Sequence, residues 1–187
     1  MLLTLSGIAT FAPFQRSGPS LLVGVPERAE DAVDAILSAL RSNQWLVGVG
    51  VGSLYEPVPR EAKYLQGTAL GYAHTAVERA GHTGERIPLS VVGPDPSLAA
   101  EAEAVLRLLG QIVSTRSIAE WAVLDLLTPG ARGQQKYVAA ELGITAQAVS
   151  KAVVRSAWAE EWAARPAAAT LLRRVDSPHT PADLQTT

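Results

Sequence analysis

Residues Gln134–Trp158 read QQKYVAAELGITAQAVSKAVVRSAW, and this stretch carries the clearest signal in the chain. An amphipathic run with Tyr137, Val138 and Leu142 on its apolar side stops at Gly143, a residue suited to the left-handed turn that ends many helices. Ile144 is apolar and is placed to plug the corner between two helices. Thr145 is a cap for a second helix with Val149, Ala152 and Val153 facing inward. Ala139 is small, as a close helix crossing requires. The second helix, 146–156, then turns Ala146, Gln147, Ser150, Lys151 and Arg155 outward, the kind of face a recognition helix presents to a major groove. The same spacing also fits an ordinary pair of core helices joined by a glycine turn.

Charge tempers the DNA reading. The chain of 187 residues has a net charge of −2, whereas DNA binders gain most of their affinity by neutralising phosphates. The balance is uneven, with seven basic and three acidic residues between Arg132 and Val175. Such a modest excess predicts weak binding by one copy, so a homodimer on double-stranded DNA is expected. With no cysteine, disulfides, thiolate metal sites and cysteine nucleophiles are excluded. No apolar run has the length of a membrane span and the N-terminus lacks a signal-peptide pattern, so a cytoplasmic protein away from the membrane is expected.

Working outward, residues 1–93 alternate between strand-like and helix-like segments. Strands are predicted over Leu2–Phe11, Leu21–Val25, Trp45–Leu54 and Ile87–Val92, with a loop over Phe11–Gly24. Helices are predicted from Pro26 to Ser42 and from Glu61 to Ala80. The character changes at Gly93-Pro94-Asp95-Pro96, where Asp95 is a cap and Pro96 opens a helix. Leu98, Ala102, Val105, Leu109 and Ile112 form a narrow apolar seam. It fits either a pairing surface for a second copy or packing against the rest of the same chain. Ser117–Glu120 has the form of a capping box. A last helix is read over Ala157–Arg173, with a break near Pro166. The domain reading is therefore an α/β sensor or dimerisation domain over 1–93, a helical helix-turn-helix domain without a wing over 94–175, and a disordered tail over 176–187.

Gly48, Gly50 and Gly52 lie on one face of the Trp45–Leu54 strand, which marks a close approach by a packed helix or by a ligand. They are not a dinucleotide fingerprint, because they sit inside the strand. His74, His82, Ser6 and Ser20 lack partners at catalytic spacing, and Asp31 with Asp34 reads as a solvated helix face. No catalytic residues, metal ligands or cofactor are assigned, and the chain is not expected to be an enzyme.

Together, Phe14-Gln15-Arg16-Ser17, EDAVDAILSAL, WLVGVGVGSL, GTALGYAHTAVERA, Trp121, the Gly133-Gln134-Gln135 opening and VAAELGITAQAVSK resemble the SatD-like family. That resemblance implies an α+β fold: a ferredoxin-like domain related to class III nucleotidyl cyclases, followed by a C-terminal helix-turn-helix. The outward face of the helix-turn-helix itself leads to a transcriptional regulator that contacts DNA through Gln135, Thr145, Ala146, Gln147, Ser150, Lys151 and Arg155, with an unidentified small-molecule effector. In that family an acidic Gly-Asp-Glu-like turn follows the Phe-Gln-Arg-Ser segment. This chain has Gly18-Pro19-Ser20-Leu21-Leu22, without the carboxylates that two-metal chemistry needs. A non-catalytic N-terminal half is therefore expected. The alternative is a nucleotide-binding protein or enzyme working through residues 1–93, with the helical half binding a partner.

Overall fold

The computed structural model describes residues 2–82, 84 and 86–176 and shows an α+β fold. Its elements run α1 (Leu2–Leu5), β1 (Thr10–Arg16), β2 (Leu22–Pro26), α2 (Ala29–Arg41), β3 (Val47–Gly50), α3 (Thr68–His82), β4 (Leu89–Val92), α4 (Pro96–Ser114), α5 (Ile118–Leu124), α6 (Gln135–Leu142), α7 (Ala146–Arg155) and α8 (Trp158–Asp176).

The N-terminal prediction was displaced along the chain. Leu2–Leu5 is a helical turn, and the first strand occupies Thr10–Arg16, where a loop was expected. Pro13 is accommodated because the register of β1 against β2 slips between Thr10 and Gln15, and an irregular ladder tolerates a residue without an N–H. Pro26 ends β2 instead of opening α2, which starts at Ala29 after Arg28 in extended geometry. The helix expected over 61–80 is divided: a 3-10 turn at Ala62–Tyr64 precedes Gly67 at φ +138°, and α3 starts only at Thr68.

β1 and β2 pair antiparallel, β3 and β4 pair parallel, and the two pairs remain separate sheets. A ferredoxin-like domain would join four strands into one antiparallel sheet, so the observed pairing departs from that expectation. The physical reason lies in the connections. The route from β3 to β4 passes through α3, a crossover that returns the chain parallel, whereas β1 and β2 close as a hairpin.

One hydrophobic core crosses residue 94. Val33, Ile36, Leu37 and Leu40 of α2, with Leu89 and Val91 of β4, pack in a single cluster with Ala102, Leu106, Leu109 and Val113 of α4 and Ala168, Ala169, Leu172 and Val175 of α8. Gly93 marks a change of secondary structure, not a gap between cores. The predicted seam is absorbed here. Ala102 and Leu109 are buried in this cluster, and Leu98, Val105 and Ile112 lie partly buried against it. Asp95 caps α4 with Pro96 in its first turn, as predicted. α8 continues through Pro166 without breaking, because the buried Ala168, Ala169 and Leu172 beyond it hold that half on the core.

Asp31 and Asp34 also depart from the solvated-face reading. Asp31 is buried and accepts two hydrogen bonds from Arg28, at 2.9 and 3.1 Å. Asp34 pairs with Arg165 of α8. His74 and His82 are exposed on α3. The predicted tail over 176–187 falls almost wholly outside the described residues; Asp176 itself ends α8. Among the described residues no helix is long and apolar enough to cross a membrane.

Candidate nucleic-acid interface

α5, α6 and α7 form a small unit with its own core. Val123, Val138, Ala139 and Val149 are buried together, flanked by Leu126, Leu127, Leu142, Ala146, Ala152 and Val153. α6 ends at Gly143 in the left-handed conformation (φ 64°, ψ 30°), and the Ile144 N–H donates to the Ala139 carbonyl at 3.0 Å. The chain then turns into α7, whose first turn is capped by Thr145 Oγ1 accepting from the Ala148 N–H at 3.1 Å. Helix, left-handed glycine, cap and second helix thus fall where the spacing places them.

The details of the corner differ. Ile144 is 41% exposed and Tyr137 62% exposed, so neither plugs the interior. The space between α6 and α7 is already closed by Val138, Ala139 and Val149.

Of the residues assigned to DNA, Gln135, Thr145, Gln147, Ser150, Lys151 and Arg155 are exposed. Ala146 is the exception: it is half-buried and packs on the small core, so it supplies a floor for the corner instead of a contact. Gln135 is the first residue of α6 and so not part of α7. The Thr145 hydroxyl is engaged by the cap, and Ser150 Oγ donates to the Ala146 carbonyl at 3.1 Å. Gln147 and Lys151 are therefore the most available side chains of the set. Arg155 is exposed but sits 3.7 Å from Glu120, which offsets part of its charge. Val154, 77% exposed and one turn beyond Ser150 and Lys151, extends the same face with an apolar patch. The sequence reading placed Val149, Ala152 and Val153 inward and left Val154 unassigned.

Two side-chain devices hold this unit in place. Gln134 staples the loop before α6: its Oε1 accepts from the Thr128 N–H, and its Nε2 donates to the Thr128 and Ala131 carbonyls. The capping box at Ser117 and Glu120 is formed, and the hydrogen bonds from the Ser117 N–H and hydroxyl hold the Glu120 carboxyl below the usual range. The unit is fixed to the rest of the fold through Trp121, which lies between the guanidinium groups of Arg41 and Arg116 at 3.9 and 4.8 Å from its ring centre. Arg41 also makes a two-pronged bridge to Asp125, both bonds 2.7 Å. The Arg41 contacts span long sequence separations, and no spacing rule announces them.

Gly48, Gly50 and Gly52 resolve toward helix packing. A Cβ on Gly50 would lie 2.1 Å from the Ala69 carbonyl oxygen, and one on Gly48 would lie 2.4 Å from Val77. α3 therefore occupies the bare face of β3. No protein-family model, curated protein or solved structure matches the chain.

Proposed function

We propose that the chain binds double-stranded DNA as a transcriptional regulator, with α7 entering the major groove. The observation that carries this reading is the α7 face itself. A Thr145-capped helix beyond a left-handed glycine turn presents Gln147, Ser150, Lys151 and Arg155 to solvent. Gln147 has the chemistry to pair with an adenine edge, and Lys151 and Arg155 suit phosphates or a guanine.

The reading of residues 1–93 as the non-catalytic part of a SatD-like protein belongs to the same proposal; it rests on the quoted motifs alone, because the two sheets do not join as a ferredoxin-like sheet and the core is shared with α4 and α8. A homodimer on two half-sites is part of it as well. With the α4 seam taken up by the core, such pairing must use another surface.

Selection of bound duplexes from a random pool tests the proposal. Enrichment of a sequence that is then retained in a gel shift, with affinity falling as salt rises, is the expected result. Failure to enrich any sequence at low salt overturns it.

A further inference from the structure

The two sheets lie side by side with a slot between them. A groove of about 1300 Å³ is lined on one wall by Leu22–Pro26 of β2 and on the other by Val47–Gly50 of β3. Ala32, Ala35, Ile36 and Ala39 of α2 form one face, and Ala69 and Ala73 of α3 belong to the other.

The hydrogen bonding of the strands shows what faces this slot. Val47 and Val51 donate to Pro88 and Val92, so the odd residues of β3 point to β4. By strand alternation the N–H and C=O groups of Gly48 and Gly50 point the other way, into the slot. On β2, the Leu21 carbonyl and the Glu27 N–H engage the β1 side, which turns the backbone groups of Leu22 and Gly24 toward the slot. Neither edge is paired with a strand among the described residues.

The opposite edge of the parallel sheet is treated differently. There the Val91 N–H donates to Glu103 Oε2 at 2.8 Å, and the Leu89 carbonyl accepts from Arg107 Nε at 3.0 Å. Two side chains of α4 thus blunt the outer edge of β4, a common guard against unwanted pairing. Among the described residues the inner edges have no such side-chain guard.

We propose that this slot binds an extended, uncharged peptide segment of a partner protein, which inserts as a strand between β2 and β3 and joins the two sheets into one. Backbone pairing on both edges supplies the affinity, and the small side chains of α2 and α3 leave room for alternating apolar side chains above and below. The volume exceeds the roughly 300–1000 Å³ usual for small-molecule pockets. Charge limits the occupant: of the charged residues that line the slot, Arg28 and Arg173 are held by Asp31 and Glu30 and Arg16 donates to the Pro19 carbonyl, while Glu27, Glu56 and Asp176 add negative charge. An uncharged strand leaves those pairs intact, whereas an acidic one would meet the Glu27, Glu56 and Asp176 carboxylates.

The experiment uses the full chain and a blocked pentapeptide of alternating valine and threonine as probe. Amide hydrogen exchange is read at Leu22, Gly24, Gly48 and Gly50, with titration calorimetry for affinity. The expected result is slowing of at least tenfold at these four amides on adding the peptide. An analogue N-methylated at its second and fourth residues, with the donors of one edge removed, should not bind. Ala39→Trp, which fills the slot from α2, should abolish binding while the thermal transition is retained. Equal binding of the methylated analogue, or unchanged exchange at millimolar peptide, overturns the proposal. So does protection already present without peptide and lost when residues 177–187 are deleted, since the chain itself would then fill the slot.

Discussion

Arg116 donates from Nη2 to Glu161 Oε2 at 3.0 Å, with the two side chains only 2% and 1% exposed. Arg116 precedes α5 and Glu161 lies in α8, and Arg116 Nε also donates to the Ser156 carbonyl at the end of α7. Burial pushes the Arg116 guanidinium below its ordinary value, and Glu161 pulls it back toward the charged form. Glu161 also accepts from Arg165 Nε, so removing Arg116 leaves the carboxylate one of its two cationic partners but strips the buried Ser156 carbonyl of its donor. Arg116→Met is expected to destabilise by about 2 kcal/mol in chemical denaturation, the worth of a charge-assisted hydrogen bond. The double change with Glu161→Met should cost clearly less than the sum of the singles. Strict additivity would show that the two groups are not coupled.

The corner between α7 and α8 turns at Ala157 with φ 48°, a left-handed conformation without glycine. An alanine there costs roughly 1–2 kcal/mol relative to a residue without a Cβ. Ala157→Gly is therefore expected to raise stability by about 1 kcal/mol. Gly143→Ala, at φ 64°, should lower it by a similar amount. Thermal midpoints moving in the same direction for both would contradict the assigned backbone geometry.

Two glycine-to-alanine changes separate packing from propensity. A Cβ on Gly50 would overlap the backbone of α3, so Gly50→Ala must force the helix away from β3, at a cost of about 3 kcal/mol. Gly71 within α3 has open space around it. Gly71→Ala is expected to stabilise by roughly 0.5–1 kcal/mol, the ordinary helix preference. Urea midpoints decide both, and a neutral Gly50→Ala would mean that α3 is not seated on β3.

The capping box gives a pH dependence. Because the Glu120 carboxyl is held below its unfolded value by Ser117, its ionised form contributes fully above about pH 4.3. The contribution fades as pH falls through the lower folded value. The wild-type protein should exceed Glu120→Gln in melting temperature at pH 7, and the difference should shrink as the solution is acidified below about pH 4.3. A difference that stays constant over that range would assign the loss to geometry instead of charge.

For the proposed DNA complex, Lys151→Ala is expected to weaken binding uniformly across sequences and to reduce the salt slope by about 1. Gln147→Ala should relax preference at one base position with little change in that slope. Gel shifts at several salt concentrations with matched and substituted duplexes distinguish the two roles.

The contrast between what sequence revealed and what it concealed is physical. The turn at Gly143, the caps at Asp95, Ser117 and Thr145, and the order of helices after residue 94 were legible because each depends on residues within one turn of each other. The placement of β1, the separation of the two sheets and the fate of the α4 seam were not, because each depends on pairings between distant segments. Ile144 illustrates the limit at the candidate site. Its apolar character predicted burial, yet three smaller side chains had already filled the corner. Asp31 shows the reverse: a carboxylate expected in solvent lies buried because Arg28, three residues earlier, folds over it.

The shared core of α2, β4, α4 and α8 sets the terms on which this protein can be dissected. A fragment beginning near residue 94 would carry α4 and α8 without the strand and helix that cover them, leaving Leu106, Leu109 and Leu172 in water. The helices that bear the α7 face are therefore not a portable cassette. They depend for support on a framework assembled from both ends of the chain, and loss of either end is felt at the other.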